Sequence, residues 1–165
     1  MAGAVIRPAE EADYPAILDI WGPVVRDTTI TFASVEKTLS TLASYIEGRR
    51  DMGREFFVAE LAGVVAGFAS YDQFRGGDGY VHAMEHTIVL GPQARGQGIG
   101  RSLMLAVEDH ARDRGAHTMM AGISGENLAA ISFHGAVGYE QVGRIPESGR
   151  KFGRWLDLVL MQKIL

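Results

Sequence analysis

Apolar and polar positions along the chain follow two periods, and each period marks a type of element. A short apolar run, Ala4 to Ile6, stops at Arg7-Pro8. From Asp13 onward Ile17, Leu18, Ile20, Trp21, Val24 and Val25 recur every three or four residues, the spacing of one helix face. Pro15 falls near the first turn, where its missing N–H costs little. Thr28 to Phe32 is rich in β-branched residues and reads as extended. Ser34 is positioned to cap a second helix, with Leu39, Leu42, Ala43 and Ile46 on one face. Phe56–Ala59 and Val64–Ala69 then flank a turn at Ala62-Gly63, a hairpin. Met84 to Leu90 reads as a strand. Ile99 to Arg114 reads as a helix with Leu103, Met104, Ala106, Val107, His110 and Ala111 facing the core. Thr118 to Ile123 is another strand, Asn127 caps a short helix ending near Gly138, and Tyr139–Ile145 and Trp155–Lys163 are the last strands. The order is βαα-βββ-αβ-αββ. Strands that follow one another directly predict antiparallel pairing in the first half. Strand–helix–strand units predict parallel pairing in the second half, so a mixed sheet with helices on its faces is expected.

Composition narrows the class. The chain has 165 residues, one domain over 1–165 at a prior of roughly 150 residues per domain. Apolar residues are 47% and charged residues 22%, which excludes a disordered or fibrous chain. Cysteine is absent, so disulfides, thiolate metal sites and cysteine nucleophiles are excluded. The net charge of −4 argues against nucleic acid as a partner. No apolar stretch approaches the ~20 residues that span a bilayer. The first residues also lack a basic start followed by a long apolar run. A cytoplasmic chain with no membrane partner is the expectation. The 21 glycines, nearly twice the usual ~7%, gather at the ends of apolar runs and read as turns and close backbone approaches.

Two glycine-rich segments flank the Met84–Leu90 strand: DQFRGGDGY over 72–80 and GPQARGQGIG over 91–100. The second lies between a strand and a helix, a context that makes an anion site from free backbone N–H groups and the helix N-terminus. It is not a P-loop, because Gln97-Gly98 stands where Lys-Ser/Thr belongs. Nor is it a dinucleotide fingerprint, because Arg101 or Leu103 stands where the third glycine belongs. What matches is R-x-x-G-x-G at Arg95, Gly98 and Gly100, which resembles the coenzyme A loop of the GNAT superfamily of N-acetyltransferases. The stretch from Asn127 to Tyr139 resembles that family's later signature. YVHAMEHTIVL (80–90) and GRKFGRWLDLVLM (149–161) resemble its phosphinothricin and methionine sulfone/methionine sulfoximine branch. The resemblance implies the GNAT acyl-CoA N-acyltransferase fold, an α/β (α+β) architecture with a central mixed sheet flanked by helices. It further implies acetyl-CoA as cosubstrate, no metal, and a homodimer. The implied coenzyme site comprises Ile88, Val89 and Leu90 on the strand, Arg95, Gly96, Gln97, Gly98, Ile99, Gly100 and Arg101 in the loop, and Asn127.

Acetyl transfer to an amine needs a base, a held thioester and a fate for the thiolate. The resemblance assigns the base to Glu85. By alternation Glu85, Thr87 and Val89 share one strand face and Met84, His86 and Ile88 the other, without deciding which face is buried. Burial would raise the Glu85 pKa and improve it as a base. His82 and His86 read as partly buried polar neighbours of Glu85, since alternation turns them away from it and no fourth metal ligand is near. His134 stands where the family often has a tyrosine. It either hydrogen-bonds or protonates the coenzyme A sulfur, or it packs for structure. Arg75 is the one cation of the first glycine-rich loop and, by resemblance, holds the acidic end of the substrate, with Asp78, Gly79 and Tyr80 completing that wall. Phe32 is either a substrate-side aromatic or core. The expected function is acetyl transfer from acetyl-CoA to the α-amine of a small amino acid such as L-methionine sulfoximine, methionine sulfone or phosphinothricin, by direct attack in a ternary complex. Protein N-terminal or polyamine acetylation, and a non-catalytic coenzyme A-binding module, are the alternatives.

Overall fold

Two-residue turns with both residues left-handed join antiparallel strands without fighting their twist. The chain uses that device twice, at Ala62-Gly63 (φ 52° and 81°) and at Phe152-Gly153 (φ 51° and 72°). The computed structural model describes residues 3–165. Its elements in order are β1 (Val5–Pro8), α1 (Tyr14–Asp27), α2 (Leu39–Asp51), β2 (Phe56–Leu61), β3 (Val64–Gln73), β4 (Ala83–Leu90), α3 (Ile99–Asp113), β5 (Thr118–Ser124), α4 (Leu128–Ala136), β6 (Glu140–Lys151) and β7 (Arg154–Ile164). The strands form one sheet in the order β1-β2-β3-β4-β5-β7-β6. Pairing is antiparallel throughout except between β4 and β5. Helix α3 supplies the long crossover that this parallel pair requires.

Each face of the sheet carries its own core. On one side Leu103, Met104, Val107 and Ala111 of α3 pack with Tyr71, Met84 and Met119. On the other, Ile17 of α1 and Leu42 and Ile46 of α2 pack with Phe56, Val58 and Phe68. Strand β4 lies between these layers, so neither of its faces is free to be simply polar. That explains why alternation alone left its buried face undecided.

Four expectations need correction. The segment Thr28–Phe32 is irregular, not extended strand. Its hydrogen-bonding groups go elsewhere: the Thr28 hydroxyl donates to the Val24 carbonyl, Thr29 donates to Glu126, and the Thr31 carbonyl accepts from Lys151 Nζ at 2.9 Å. The second helix is capped by Thr38, not Ser34. Thr38 Oγ1 accepts from the Thr41 N–H while Thr41 Oγ1 accepts from the Thr38 N–H, a reciprocal cap. Strands β5 and β6 do not pair, because β7 inserts between them, antiparallel to both. Strand β6 also runs on to Lys151, carried past Pro146 by irregular pairing between Ile145 and Gly149.

Candidate active site

The parallel pair at the centre of the sheet is short. β4 and β5 are in register only at Ala83–Thr118, Met84–Met119 and Glu85–Met120. Beyond Glu85 they part, and the edge of β4 from His86 to Leu90 faces a wedge instead of a neighbouring strand. The wedge opens into a cleft of about 460 Å³ lined by Ile88, Val89, Leu90, Arg95, Gly96, Asn127, Ala130, Phe133 and His134 among others. A chain-like ligand lying there can use the free N–H and C=O groups of β4 as a further strand would.

At the mouth of the wedge the glycine loop turns into α3. Gly96 and Gly98 are left-handed, at φ 74° and 75°, a conformation that a side chain disfavours. The first helical bond is from the Ser102 N–H to the Gly98 carbonyl. The amides of Ile99, Gly100 and Arg101 are therefore left without intrahelical acceptors. Gly98 has open space where a Cβ would project, so an anion can reach these amides. Gly100 fits tightly for a different reason, since a Cβ there would lie 3.1 Å from the Phe133 ring and 3.3 Å from Leu90 and would need both to shift slightly. Arg95 is exposed and lines the cleft. The Arg101 side chain donates to the Ala136 carbonyl, and that of Gln97 to the Gln93 carbonyl. Asn127 both lines the cleft and caps α4, its Oδ1 accepting from the Ala130 N–H at 3.1 Å.

Glu85 stands at the point where the strands part. Its Oε1 lies 2.8 Å from where a Cβ on Gly122 of β5 would be, so glycine there makes room for the carboxylate. Burial raises its pKa, and Asp72, paired with it in register on β3, raises it further. Asp72 itself is held by Arg54. Helix α2 closes this face: Tyr45 lies beside Thr87 and within electrostatic reach of Glu85, Asp72 and Arg49.

The histidines behave differently from expectation. His82 is exposed, its Nδ1 donating to the Gly115 carbonyl at 2.7 Å, and is no buried neighbour of Glu85. His86 and His134 are buried and stack with planes 10° apart. His134 Nδ1 must carry the proton it donates to the Ala130 carbonyl at 2.7 Å. His134 Nε2 is then the acceptor for His86 Nε2–H at 3.1 Å, and His86 Nδ1 is left bare and unpartnered. Burial depresses both pKa values, that of His86 to about 3. With both ring nitrogens engaged, His134 has no N–H to offer a thiolate, so its expected role as proton donor finds no support.

The substrate-side residues are not gathered around Glu85. Arg75, Asp78, Gly79 and Tyr80 are exposed on the loop between β3 and β4, with the Arg75 guanidinium 5.4 Å from the Tyr80 ring centre. The loop is braced by the Gln73 amide, which donates to the carbonyls of Arg75 and Gly77. Phe32 packs on Gly149 of β6, where even a Cβ would collide with its ring. Tyr45 and Arg49 on the Glu85 face and Gly122 opposite its carboxylate are not singled out by the sequence pattern. One signal was available, since Tyr45 and Arg49 fall on the same helical stripe as Leu42 and Ile46. No cluster of three metal-ligating side chains occurs among the described residues.

A mixed sheet thus parts beside a loop of free amides, with a partly buried carboxylate at the apex. The chain belongs to the acetyltransferase (GNAT) family, whose model matches residues 22–139. It is 38% identical over 160 residues to the L-methionine sulfoximine/L-methionine sulfone acetyltransferase of Pseudomonas paraeruginosa, covering 96% of this chain and 93% of that protein. Among solved structures, a ribosomal-protein-alanine N-acetyltransferase from Brucella melitensis superposes with a TM-score of 0.94 at 41% identity, covering 98% of this chain and 99% of that one. A phosphinothricin acetyltransferase from Sinorhizobium meliloti, solved with acetyl-CoA, superposes at 0.93 with 32% identity, covering 99% and 89%.

Proposed function

We propose that this acetyltransferase moves the acetyl group of acetyl-CoA to the α-amine of a small amino acid of the methionine sulfone, methionine sulfoximine or phosphinothricin type. The observation that carries the chemistry is Glu85, a carboxylate with a raised pKa at the head of the wedge. Acetyl-CoA supplies an activated acetyl thioester. The amides of Gly96 to Arg101 take its pyrophosphate, with Arg95 adding charge. The backbone of Ile88, Val89 and Leu90 and the Asn127 side chain guide its arm along the wedge. Glu85 removes a proton from the substrate ammonium, directly or through water, and the neutral amine attacks the thioester in a ternary complex; the C–S bond breaks as the C–N bond forms, and the departing coenzyme A thiolate takes up, through water, the second proton lost by the nitrogen. An acyl-enzyme on cysteine is impossible, as the chain has none. Arg75 holds the acidic end of the substrate side chain, and Phe32, Asp78, Gly79 and Tyr80 complete the acceptor side. The chain acts in the cytoplasm as one domain over 1–165. It acts as a homodimer, joined through the β6–β7 hairpin, where Val142, Ile145, Phe152 and Trp155 are exposed. Light scattering that finds a monomer at micromolar concentration removes the dimer.

A second reading, acetylation of a protein N-terminus, draws on the Brucella relative's name. The two are separated by following thiol release from acetyl-CoA with L-methionine sulfone, L-methionine sulfoximine, phosphinothricin, an alanine-initiated peptide and a polyamine. The amino acids are expected to drive turnover well above the peptide and polyamine. The reverse order overturns the assignment.

A further inference from the structure

The C-terminal end of α2 carries two arginines, with a third just beyond it, and only one of the three lacks a counter-charge. Arg50 is bonded to Glu55 at 2.7 Å and to the Ala9 carbonyl, and Arg54 to Asp72. Among the described residues no carboxylate forms a salt bridge with Arg49; Asp72, itself held by Arg54, acts on it only electrostatically. Its guanidinium lies 3.5 Å above the Tyr45 ring centre and donates Nη2–H to the Tyr45 hydroxyl, while its Nε is buried with no acceptor. A second cation, Lys37, sits 4.3 Å from the same ring centre and likewise has no carboxylate partner among the described residues. Burial lowers the pKa of both, and Arg49 adds to the effect on Lys37. Two partly desolvated cations sharing one aromatic ring repel each other, and a buried guanidinium N–H without an acceptor is costly. An arrangement that holds cations this way is complete only when an anion joins it.

The position of the pair says which anion. Arg49 and Tyr45 cover the face of the sheet on which Asp72, Glu85 and Thr87 lie. In an α-amino acid the carboxylate is attached to the carbon that carries the amine. An amine brought to Glu85 therefore brings a carboxylate to its immediate surroundings. Resting on the function proposed above, we propose that Arg49, assisted by Lys37, is the receptor for the substrate's α-carboxylate. Arg75, on the exposed loop, is left to read the side chain. The stacking on Tyr45 holds the guanidinium plane in place, which suits the two-pronged geometry of a carboxylate.

The test pairs L-methionine sulfone with 3-(methylsulfonyl)propan-1-amine, the same molecule without its carboxylate, in wild type, Arg49→Met and Arg49→Lys. Arg49→Met should lose about 10- to 100-fold in kcat/KM for the amino acid, mainly through KM, and change little for the decarboxylated amine. Arg49→Lys, which keeps charge without the fork, should fall between. Acetyl-CoA affinity and the melting temperature identify a variant that has merely lost its fold, and the lysine variant then carries the comparison. An equal loss on both acceptors makes Arg49 a support for Tyr45 and overturns the proposal, as does no loss on either. If wild type prefers the decarboxylated amine or a peptide to the amino acid, the substrate reading itself falls, and this inference with it.

Discussion

The stacked histidine pair behind the coenzyme wedge makes the fold sensitive to mild acid. His86 is buried with its Nδ1 unpartnered, and its pKa is held near 3 first by burial and then by His134. In the unfolded chain the same group titrates near its ordinary 6.5. The unfolded state therefore binds a proton that the folded state refuses, and stability falls as pH drops below about 6.5. From pH 7.5 to pH 5 the loss amounts to about 2 kcal/mol from His86 alone, at 1.36 kcal/mol per pH unit below the unfolded pKa. His134, shifted in the same direction, adds to it. The assay is urea unfolding of wild type and His86→Gln across this range. Glutamine keeps an N–H for His134 Nε2 but cannot take a proton. The stability of the variant is set at neutral pH by its own packing; what matters is the slope. Wild type should lose about 2 kcal/mol more than His86→Gln between the two pH values. Parallel curves would mean that His86 is solvated or paired in the folded protein, and the tautomer chain from Ala130 through His134 to His86 would be wrong. His134 would then again be available as a proton donor to the thiolate.

Three further outcomes are expected. Glu85→Gln should lower kcat by ~10²–10⁴-fold with acetyl-CoA affinity unchanged, which calorimetry and turnover together measure. The raised carboxyl pKa weakens the folded state as pH rises through the interval above its ordinary 4.5, so the same variant should be no less stable than wild type at pH 8. Gly98→Val should weaken acetyl-CoA strongly, and because φ is 75° it should also cost about 1–2 kcal/mol of stability; unchanged affinity in a folded variant removes the loop from the coenzyme site. Arg75→Ala should reduce kcat/KM for phosphinothricin by about one to two decades and spare a simple amine, whereas an equal loss on both would make Arg75 a loop-bracing residue.

Where local chemistry decides structure, the chain could be read directly. The Ala62-Gly63 turn, the glycine loop and the Asn127 cap are each settled by one or two residues whose conformational preferences admit few alternatives. Thr28–Phe32 failed because β-branched composition reports what a segment tolerates, while its actual partners, Glu126 and Lys151, lie about a hundred residues away. The parallel pairing expected of β5 and β6 fails for a related reason. A hairpin can insert on either side of its predecessor, and nothing local to β6 records which. Glu85 is assigned as base through resemblance, and the structure adds what resemblance lacks: the glycine opposite and the aspartate beside it. Arg49 was passed over because a charged residue on a helix is usually read as solvated, and only its position on the Leu42–Ile46 stripe contradicts that.

The three residue pairs that join β4 to β5 have a mechanical consequence. Among the described residues they are the only strand pairing between the sheet's two halves, β1–β4 on one side and β5–β7–β6 on the other, extended at one end by the His82 carbonyl, which accepts from the His117 and Thr118 N–H groups. Every other neighbouring pair of strands is joined by four or more residue pairs, so the line the two halves share is the shortest seam of the sheet, and the core beneath α3 packs across it. That line runs past Glu85. A molecule spanning the wedge works as a splint, and its binding energy adds to the resistance of the whole sheet to unfolding. The chain thus places the shortest seam of its sheet beside the carboxylate proposed as base, and a cosubstrate bound in the wedge should raise the melting temperature.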